Sequence, residues 1–357
     1  MDKQLLDIYS DYLIAQNQYA TATGLSDLLQ GDISHDKITR FLNKETFSSK
    51  ELWMYVRPEI RKIEEEAGGV LILDDTIEEK TYTDENEIMC WHYSHAKGRC
   101  IKGVNILSCL VRYGDIALPI AYELVCKDVL FCDITTKKEK RQSSISKNQM
   151  FRSIIAQAIT NQVKFDYVLA DNWFGAKKNM EFIHYDMKKK FVIGVKANRL
   201  IALTEQERKK GQYQNLNTLQ FKDGEKRIVW LKDVSFPVAL VKKIFKNEDG
   251  STGILYLASN DLENSADRTY EIYQKRWRIE EYHKSIKQNA SLEKSPTKVV
   301  CSQKNHIFAS IVAYCKLEFL RTKTSLNHFA IKYKLLMRAN RIAFLELEKW
   351  RFNAGLA

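Results

Sequence analysis

Gly68 and Gly69 break a helical pattern and lead into VLILDDT (70–76), an unbroken apolar run that closes on two aspartates. A strand without polar alternation has both faces covered. The chain therefore needs a sheet with other layers packed on it. Further strand patterns are IKGVNILSCLVRYG (101–114) and IALPIAYELV (116–125), turning near Gly114–Asp115, then FDYVLADNWF (165–174) and FVIGVKAN (191–198). Helical patterns, KNQMFRSIIAQAITNQ (147–162) and NMEFIHYDMKKK (179–190), lie between them. The order β-β-β-α-β-α-β predicts an α/β fold, a mixed sheet flanked by helices. With 357 residues, 45% of them hydrophobic, the chain can bury a sizeable core.

The ends read differently. Residues 1–67 carry helical patterns, among them GLSDLLQ and HDKITRFLN joined by the short link GDIS. That spacing suits a helix-turn-helix that offers Lys37, Thr39 and Arg40 to DNA; a small helical bundle without DNA contact fits nearly as well. Ser48 and Glu51 form a capping box opening a further helix, which Pro58 should bend. Residues 199–262 are polar, with alternating segments such as RIVWLKDV and TGILYLAS, and read as an antiparallel β insertion. From Ser265 onward the pattern is helical. The division predicted is a helical region at 1–67, a central domain at 68–320 and a helical region at 321–357.

Formal net charge is +11, which favours a polyanionic partner. The basic residues from Arg321 to Arg351 suit DNA, a second subunit or a solvated helix face equally. Seven scattered cysteines without a framework point to a reducing cytosol. The start, MDKQLLDIYSDYLIAQ, lacks the long apolar stretch of a signal peptide, and no run of apolar residues is long enough to cross a membrane. With four prolines and no Gly/Ser tract, no flexible linker is expected.

Two of the strands end in acids, Asp75 and Asp171, and strand ends are where a sheet presents functional side chains. A third acid lies in YQKRWRIEEYHKSIKQ. Read as one helix, this stretch sets Tyr273, Arg276, Glu280 and Lys287 within an arc of ~60°, with Lys284 at its edge. Ile272, Ile279 and Ile286 recur every seven residues on another face and should be buried. A charged helix laced with Glu–Lys pairs gives the same pattern, and an aspartate at a strand end is more often a cap. Together, however, Asp75, Asp171 and Glu280 make a set of hard oxygen donors suited to magnesium, with manganese as a substitute. Two such ions could activate water or a hydroxyl at a phosphodiester. A competing constellation, Cys90, His92, His95 and Cys100, has ligand types suited to zinc. It reads better as a basic loop near DNA with Lys97 and Arg99. Trp173 and Trp230 are candidates for stacking a flipped base, although core packing explains both more simply.

VLILDDT, VLADNWFG and YQKRWRIEEYHKSIK together resemble the DDE transposases of bacterial insertion sequences, in particular insertion-sequence family four, whose tyrosine, arginine, glutamate and lysine signature matches Tyr273, Arg276, Glu280 and Lys287. The resemblance implies a ribonuclease-H-like core with Asp75, Asp171 and Glu280 as metal ligands. Asp75 is taken as the first ligand because it stands immediately before Thr76; alternation along the strand then turns Asp74 to the other face. Asp171 is followed by Asn-Trp-Phe-Gly where relatives often have an Arg-Glu. The resemblance further implies that Arg276 and Tyr273 hold phosphates, that Lys284 and Lys287 meet DNA, and that a homodimer acts on double-stranded transposon ends and target in a bacterial cytoplasm, at the nucleoid. It implies cut-and-paste transposition. A domesticated DNA-binding regulator and a purely hydrolytic nuclease are the alternatives.

Overall fold

The structure, a computed structural model, describes residues 2–64, 68–95, 97–246 and 249–356. It divides into two compact units. One comprises Met1–Tyr55, Glu78–Asn86 and Glu281–Ala357; the other comprises Val56–Ile77 and Glu87–Glu280. The division differs from the sequence boundaries: the N-terminal helices share a unit with residues 281–320 as well as with the chain end.

The helical unit begins with α1 (Lys3–Ala15), α2 (Ala22–Leu28) and α3 (His35–Lys44). Each starts on a side-chain cap, from Asp2, Thr21 and Ser34 respectively, which satisfies an orphan backbone N–H. A short link, residues 29–34, joins α2 to α3. Next comes α4 (Ser49–Ile63), which opens where Ser48 donates its backbone N–H to Glu51 and runs on through Pro58.

Helix α10 (Val300–Thr324) is the centre of this unit, and it packs on α1 and α3. It is buried almost throughout from Ser302 to Glu318, as expected of a helix with apolar residues on every side. Among the described residues, Gln303 Oε1 and Ser310 Oγ are buried on it without a hydrogen-bond partner, but other polar groups it buries are paired. Tyr9 Oη lies 3.0 Å from His306 Nδ1, and His306 Nε2 lies 2.9 Å from the Ser291 carbonyl. The ring is therefore neutral, and burial lowers its pKa to about 4. Asn305 accepts from the Phe47 N–H at 2.9 Å and donates to the carbonyls of Leu42 and Glu45 at 2.8 and 2.6 Å. This one amide clips the loop after α3 onto α10. Asn305→Leu keeps the volume but strands these groups, and should cost about 3 kcal/mol in urea unfolding; a cost below about 1 kcal/mol would show that the clip is dispensable.

The second unit carries a sheet of eleven strands among the described residues. In chain order the strands of the chain are β1 (Val70–Glu79), β2 (Cys90–Ser94), β3 (Arg99–Tyr113), β4 (Ile116–Leu124), β5 (Val129–Asp133), β6 (Lys138–Gln142), β7 (Tyr167–Ala170), β8 (Lys190–Val195), β9 (Leu200–Ala202), β10 (Gln214–Asn215), β11 (Lys226–Leu231), β12 (Val238–Lys246) and β13 (Thr252–Ser259). The order across the sheet is β10-β9-β11-β12-β13-β8-β7-β1-β3-β2, with β4 also paired to β3 and the β5–β6 hairpin separate. β1, β7 and β8 are parallel neighbours; β3 pairs antiparallel with β2 and β4. Val70 to Leu73 are essentially inaccessible, as their apolar run requires. The polar segment from 199 onward is the antiparallel insertion expected, and its strands continue the main sheet through β13 on β8.

Helices cover the sheet. α5 (Lys147–Thr160) lies against β3 and β4. α6 (Lys177–Glu181) runs into a wide turn at Phe182–Asp186, and α7 (Glu205–Lys209) caps the insertion. α8 (Ala266–Gln274) packs on β8 and β12 and is followed by α9 (Trp277–Gln288). The mixed sheet flanked by helices is the fold class read from the sequence.

Two local expectations fail. The strand predicted over 165–174 ends at Ala170, because Asp171 turns back and accepts the Trp173 N–H at 2.9 Å, starting a tight 3-10 turn at Asn172–Phe174. That turn sits directly on β8: a Cβ at Gly194 would come within 2.9 Å of the Asn172 nitrogen, and one at Gly175 within 2.9 Å of the Gly194 carbonyl. The second failure is the helix over 265–288, which is broken. Arg276 N–H bonds to the Tyr273 carbonyl, Arg278 to Lys275 and Ile279 to Arg276. These i to i−3 bonds tighten the backbone and rotate the two halves relative to the ideal 3.6-residue spiral. Tyr273, Arg276 and Glu280 therefore do not form one straight stripe.

Candidate active site

The parallel register of β1 and β7 aligns Leu73 with Ala170. Asp74 and Asp171 each follow that last pair, Asp171 already in the turn after β7, and the charge of Asp171 bears on Asp74. Arg276, in the break between α8 and α9, meets Asp74 from above. Its Nη1 lies 2.7 Å from Asp74 Oδ2, and its Nη2 lies 3.2 Å from Glu280 Oε1. Glu280 sits in the first turn of α9, where the positive end of the helix favours a carboxylate. Tyr273, 9% exposed, places its ring 5.7 Å from the guanidinium carbon. Ile272 and Ile279 are buried, as predicted, and hold the break against the sheet.

Asp75 points elsewhere. Its Oδ2 accepts from Asn105 Nδ2 on β3 at 2.6 Å, and both its oxygens lie 3.0 Å from Lys147 Nζ at the start of α5. Lys147 also stands 4.1 Å above the Trp173 ring. The sequence reading took Asp75 as the partner of Asp171 and Glu280 and sent Asp74 away. Strand alternation does separate the two aspartates: Arg276 bonds Asp74 and Glu280, while Asp75 is engaged by Asn105 and Lys147.

The electrostatics show a surplus of negative charge. Four carboxylates (Asp74, Asp75, Asp171 and Glu280) meet two bonded cations, Arg276 and Lys147. Burial pushes Asp74 up to about 7; Arg276 opposes this, while Asp171, Glu280 and Asp75 add to it. Asp171 is also raised, by burial first; the Trp173 N–H and Arg276 hold it down, and Asp75 pushes it up. Asp171 thus senses both aspartates of β1. Burial alone would lower the Arg276 pKa, but Tyr273 and the acids keep it above the usual guanidinium range. Hard oxygen donors, half-buried or nearly buried and short of counter-charge, are the chemistry that attracts a divalent cation. Among the described residues, however, no three His, Cys, Asp or Glu side chains are drawn together to coordinating distance. Arg276 stands between Asp74 and Glu280 in this state.

The remaining candidates are held by other partners. Lys284 and Lys287 follow Glu280 along α9 within the helical unit, where Lys284 stands over the Phe329 ring at 5.2 Å and Lys287 pairs with Glu293 at 3.7 Å. Lys37 and Arg40 on α3 line a surface groove of about 730 Å³ together with Asp2 and Leu5 of the α1 end. Cys90 and His92 face inward from β2, while Cys100 pairs with Tyr93 and so points to the opposite side of the sheet. Their β-ladder therefore cannot close a zinc site, and burial lowers the His92 pKa to about 4. Trp230 is half-buried beneath Arg208, at 4.3 Å. Three contributors went unread in the sequence: Asp74 in its bonding role, Asn105 and Lys147. Lys147 had a signal, because Ser146 and Gln149 form a full capping box that fixes where α5 begins.

Residues 2–218 match the family described as DDE superfamily endonuclease. The chain belongs to the DDE superfamily. Residues 134–316 match, in addition, the family described as Transposase DDE domain. No curated protein matches the chain. The two matches together span both strand-end acids, Arg276 and Glu280, so a nuclease-type enzyme acting on DNA is the activity of the family to which this site belongs. Among the described residues no helix is long and apolar enough to cross a membrane.

Proposed function

We propose that this DDE protein is a cut-and-paste transposase of insertion-sequence family four, which binds the inverted repeats of its own element, cleaves them and joins the freed 3′ hydroxyl to target DNA. The observation that carries this is the meeting of Asp74, Asp171, Arg276 and Glu280 at one place. Asp74, Asp171 and Glu280 would hold magnesium, with manganese as a substitute; bound there, the ion supplies Lewis acidity and an activated oxygen nucleophile. The surplus of carboxylate charge supports that assignment over one centred on Asp75, whose oxygens are engaged by Lys147 and Asn105.

The chain's own residues do the rest. Arg276 is a bidentate donor occupied by carboxylates; a DNA phosphate is the competing bidentate acceptor. As Arg276 turns to the phosphate, it releases Asp74 and Glu280. Tyr273 steadies the arginine and offers its hydroxyl to the backbone. Lys284, Lys287, Lys37 and Arg40 add phosphate contacts along the duplex, which position without reading sequence. Asp75 is a supporting carboxylate that anchors Lys147 beside Trp173. The enzyme acts as a homodimer at the bacterial nucleoid.

The test mixes the protein with DNA that flanks its own gene. Magnesium-dependent cuts should appear at the repeat ends and leave 3′ hydroxyls that then join a target plasmid; chelation should stop both. Cuts without joining would make it a hydrolytic nuclease, and binding with no cut would make it a regulator.

A further inference from the structure

Asn179 lies in the five-residue helix α6 and is wholly inaccessible to solvent. A buried amide costs stability unless its hydrogen bonds are made. The buried side chains beside it, Met180 and Ile183, show that apolar residues serve this layer, so packing alone does not call for an asparagine. Its bonds are specific. Asn179 Oδ1 accepts from Arg152 Nη1 at 2.7 Å, and its Nδ2 donates to Asn148 Oδ1 at 2.7 Å and to the Phe174 carbonyl at 3.0 Å. An arginine can only donate, so the amide has one orientation, with both of its N–H bonds used.

Two of these partners, Asn148 and Arg152, stand on α5, and the third closes the turn that Asp171 opens. That turn is weakly held by its own backbone. Phe174 N–H reaches the Asp171 carbonyl at 3.3 Å, and Gly175 N–H reaches the Asn172 carbonyl at 3.4 Å, both long for such bonds. Its shape therefore depends on what surrounds it. β8 lies close beneath, at Gly194. From α5, the Phe151 ring stacks on Phe174 at 4.7 Å, and Lys147 stands over Trp173. Asn179 is the polar tie that joins the turn's backbone to the start of α5. A metal ligand has to be held within about half an ångström of its working place, which the turn's own bonds do not ensure.

We propose that Asn179 is a positioning residue for Asp171, fixing the turn that carries this carboxylate against the first turns of α5. The proposal rests on the reading of Asp171 as a metal ligand. Asn179→Asp keeps the volume and the Arg152 bond but sets an oxygen against the Phe174 carbonyl. Asn148 can rotate its amide to donate; a backbone carbonyl cannot. In the metal-free full chain, amide hydrogen exchange at Trp173–Gly175 should quicken at least about tenfold, with α10 unchanged. In repeat-end cleavage, kcat should fall about 10–100-fold with KM for DNA unchanged, and half-maximal rate should need more magnesium. Asn148→Ala should move each readout the same way, and Asn148→Asp, which keeps the acceptor, should restore the parent values; this pair decides the matter if Asn179→Asp does not fold. Unchanged exchange in Asn179→Asp, fast exchange with parental cleavage at the same magnesium, or Asn148→Asp no better than Asn148→Ala would overturn the proposal. The exchange measurement needs neither metal nor DNA, so it still decides whether Asn179 holds the turn in a parent chain that fails to cleave, a failure that would count against the transposase reading alone.

Discussion

Asp74→Asn should abolish end cleavage, by about 10³-fold or more, while Asp75→Asn should lose only about tenfold. The asymmetry follows from the two environments. Asp74 lies 2.7 Å from the arginine that also holds Glu280, and the charge of Asp171 bears on it. Losing a group that contacts the reacting centre in a water-poor site costs about 10²–10³ or more. Asp75 touches Asn105 and Lys147, and removing such outer support typically costs 10–100-fold. Asp171→Asn and Glu280→Gln should fall with Asp74→Asn. Equal losses at both aspartates would mean that Asp75 coordinates as well, and the reverse order would return the first-ligand role to Asp75. The comparison needs binding to the repeat ends to be retained in every variant, since neutralising a carboxylate should not weaken phosphate contacts.

Arg276→Ala should destabilise the metal-free protein by about 3–5 kcal/mol above pH 7, the range seen when one partner of a buried pair is removed. Side-chain exposure is 16% for Arg276 and 14% for Asp74, so little water can take over. The cost should shrink toward pH 5. Asp74 titrates at about 7 in the folded protein and near 4 when unfolded, so the folded state holds the proton more tightly. Its contribution to stability is greatest below pH 4 and is lost as pH rises to 7. Below pH 5 Asp74 is protonated and no longer needs the arginine. Melting curves of parent and variant from pH 5 to 8 should therefore diverge as pH rises. Arg276→Lys should not rescue, because one ammonium cannot span Asp74 and Glu280 as the planar fork does. Parallel curves would show that Asp74 is already ionised at pH 5.

Much of this site was legible in the chain. The apolar run of β1 required burial on both faces, and strand ends drew attention to Asp171. The heptad of isoleucines located the face of α8 and α9 that packs inward. Register was not legible: nothing local says that Leu73 lies level with Ala170 rather than with its neighbour. Nor was the break at Lys275–Arg276, because a switch to i to i−3 bonding leaves no Gly or Pro to mark it. Asn105 and Lys147 reach the site from β3 and α5 through tertiary packing, which no spacing within one segment encodes.

The central claim is that Asp74, Asp171 and Glu280 form the metal-holding set once Arg276 has moved to a phosphate. Anomalous scattering from manganese in crystals of the protein bound to a repeat end tests it most directly. The account requires a peak bonded to Asp74 and Asp171, with Glu280 as a further ligand and the Arg276 guanidinium on DNA. A peak on Asp75 with Arg276 still joining Asp74 to Glu280, or no peak in a complex that cleaves, would contradict it.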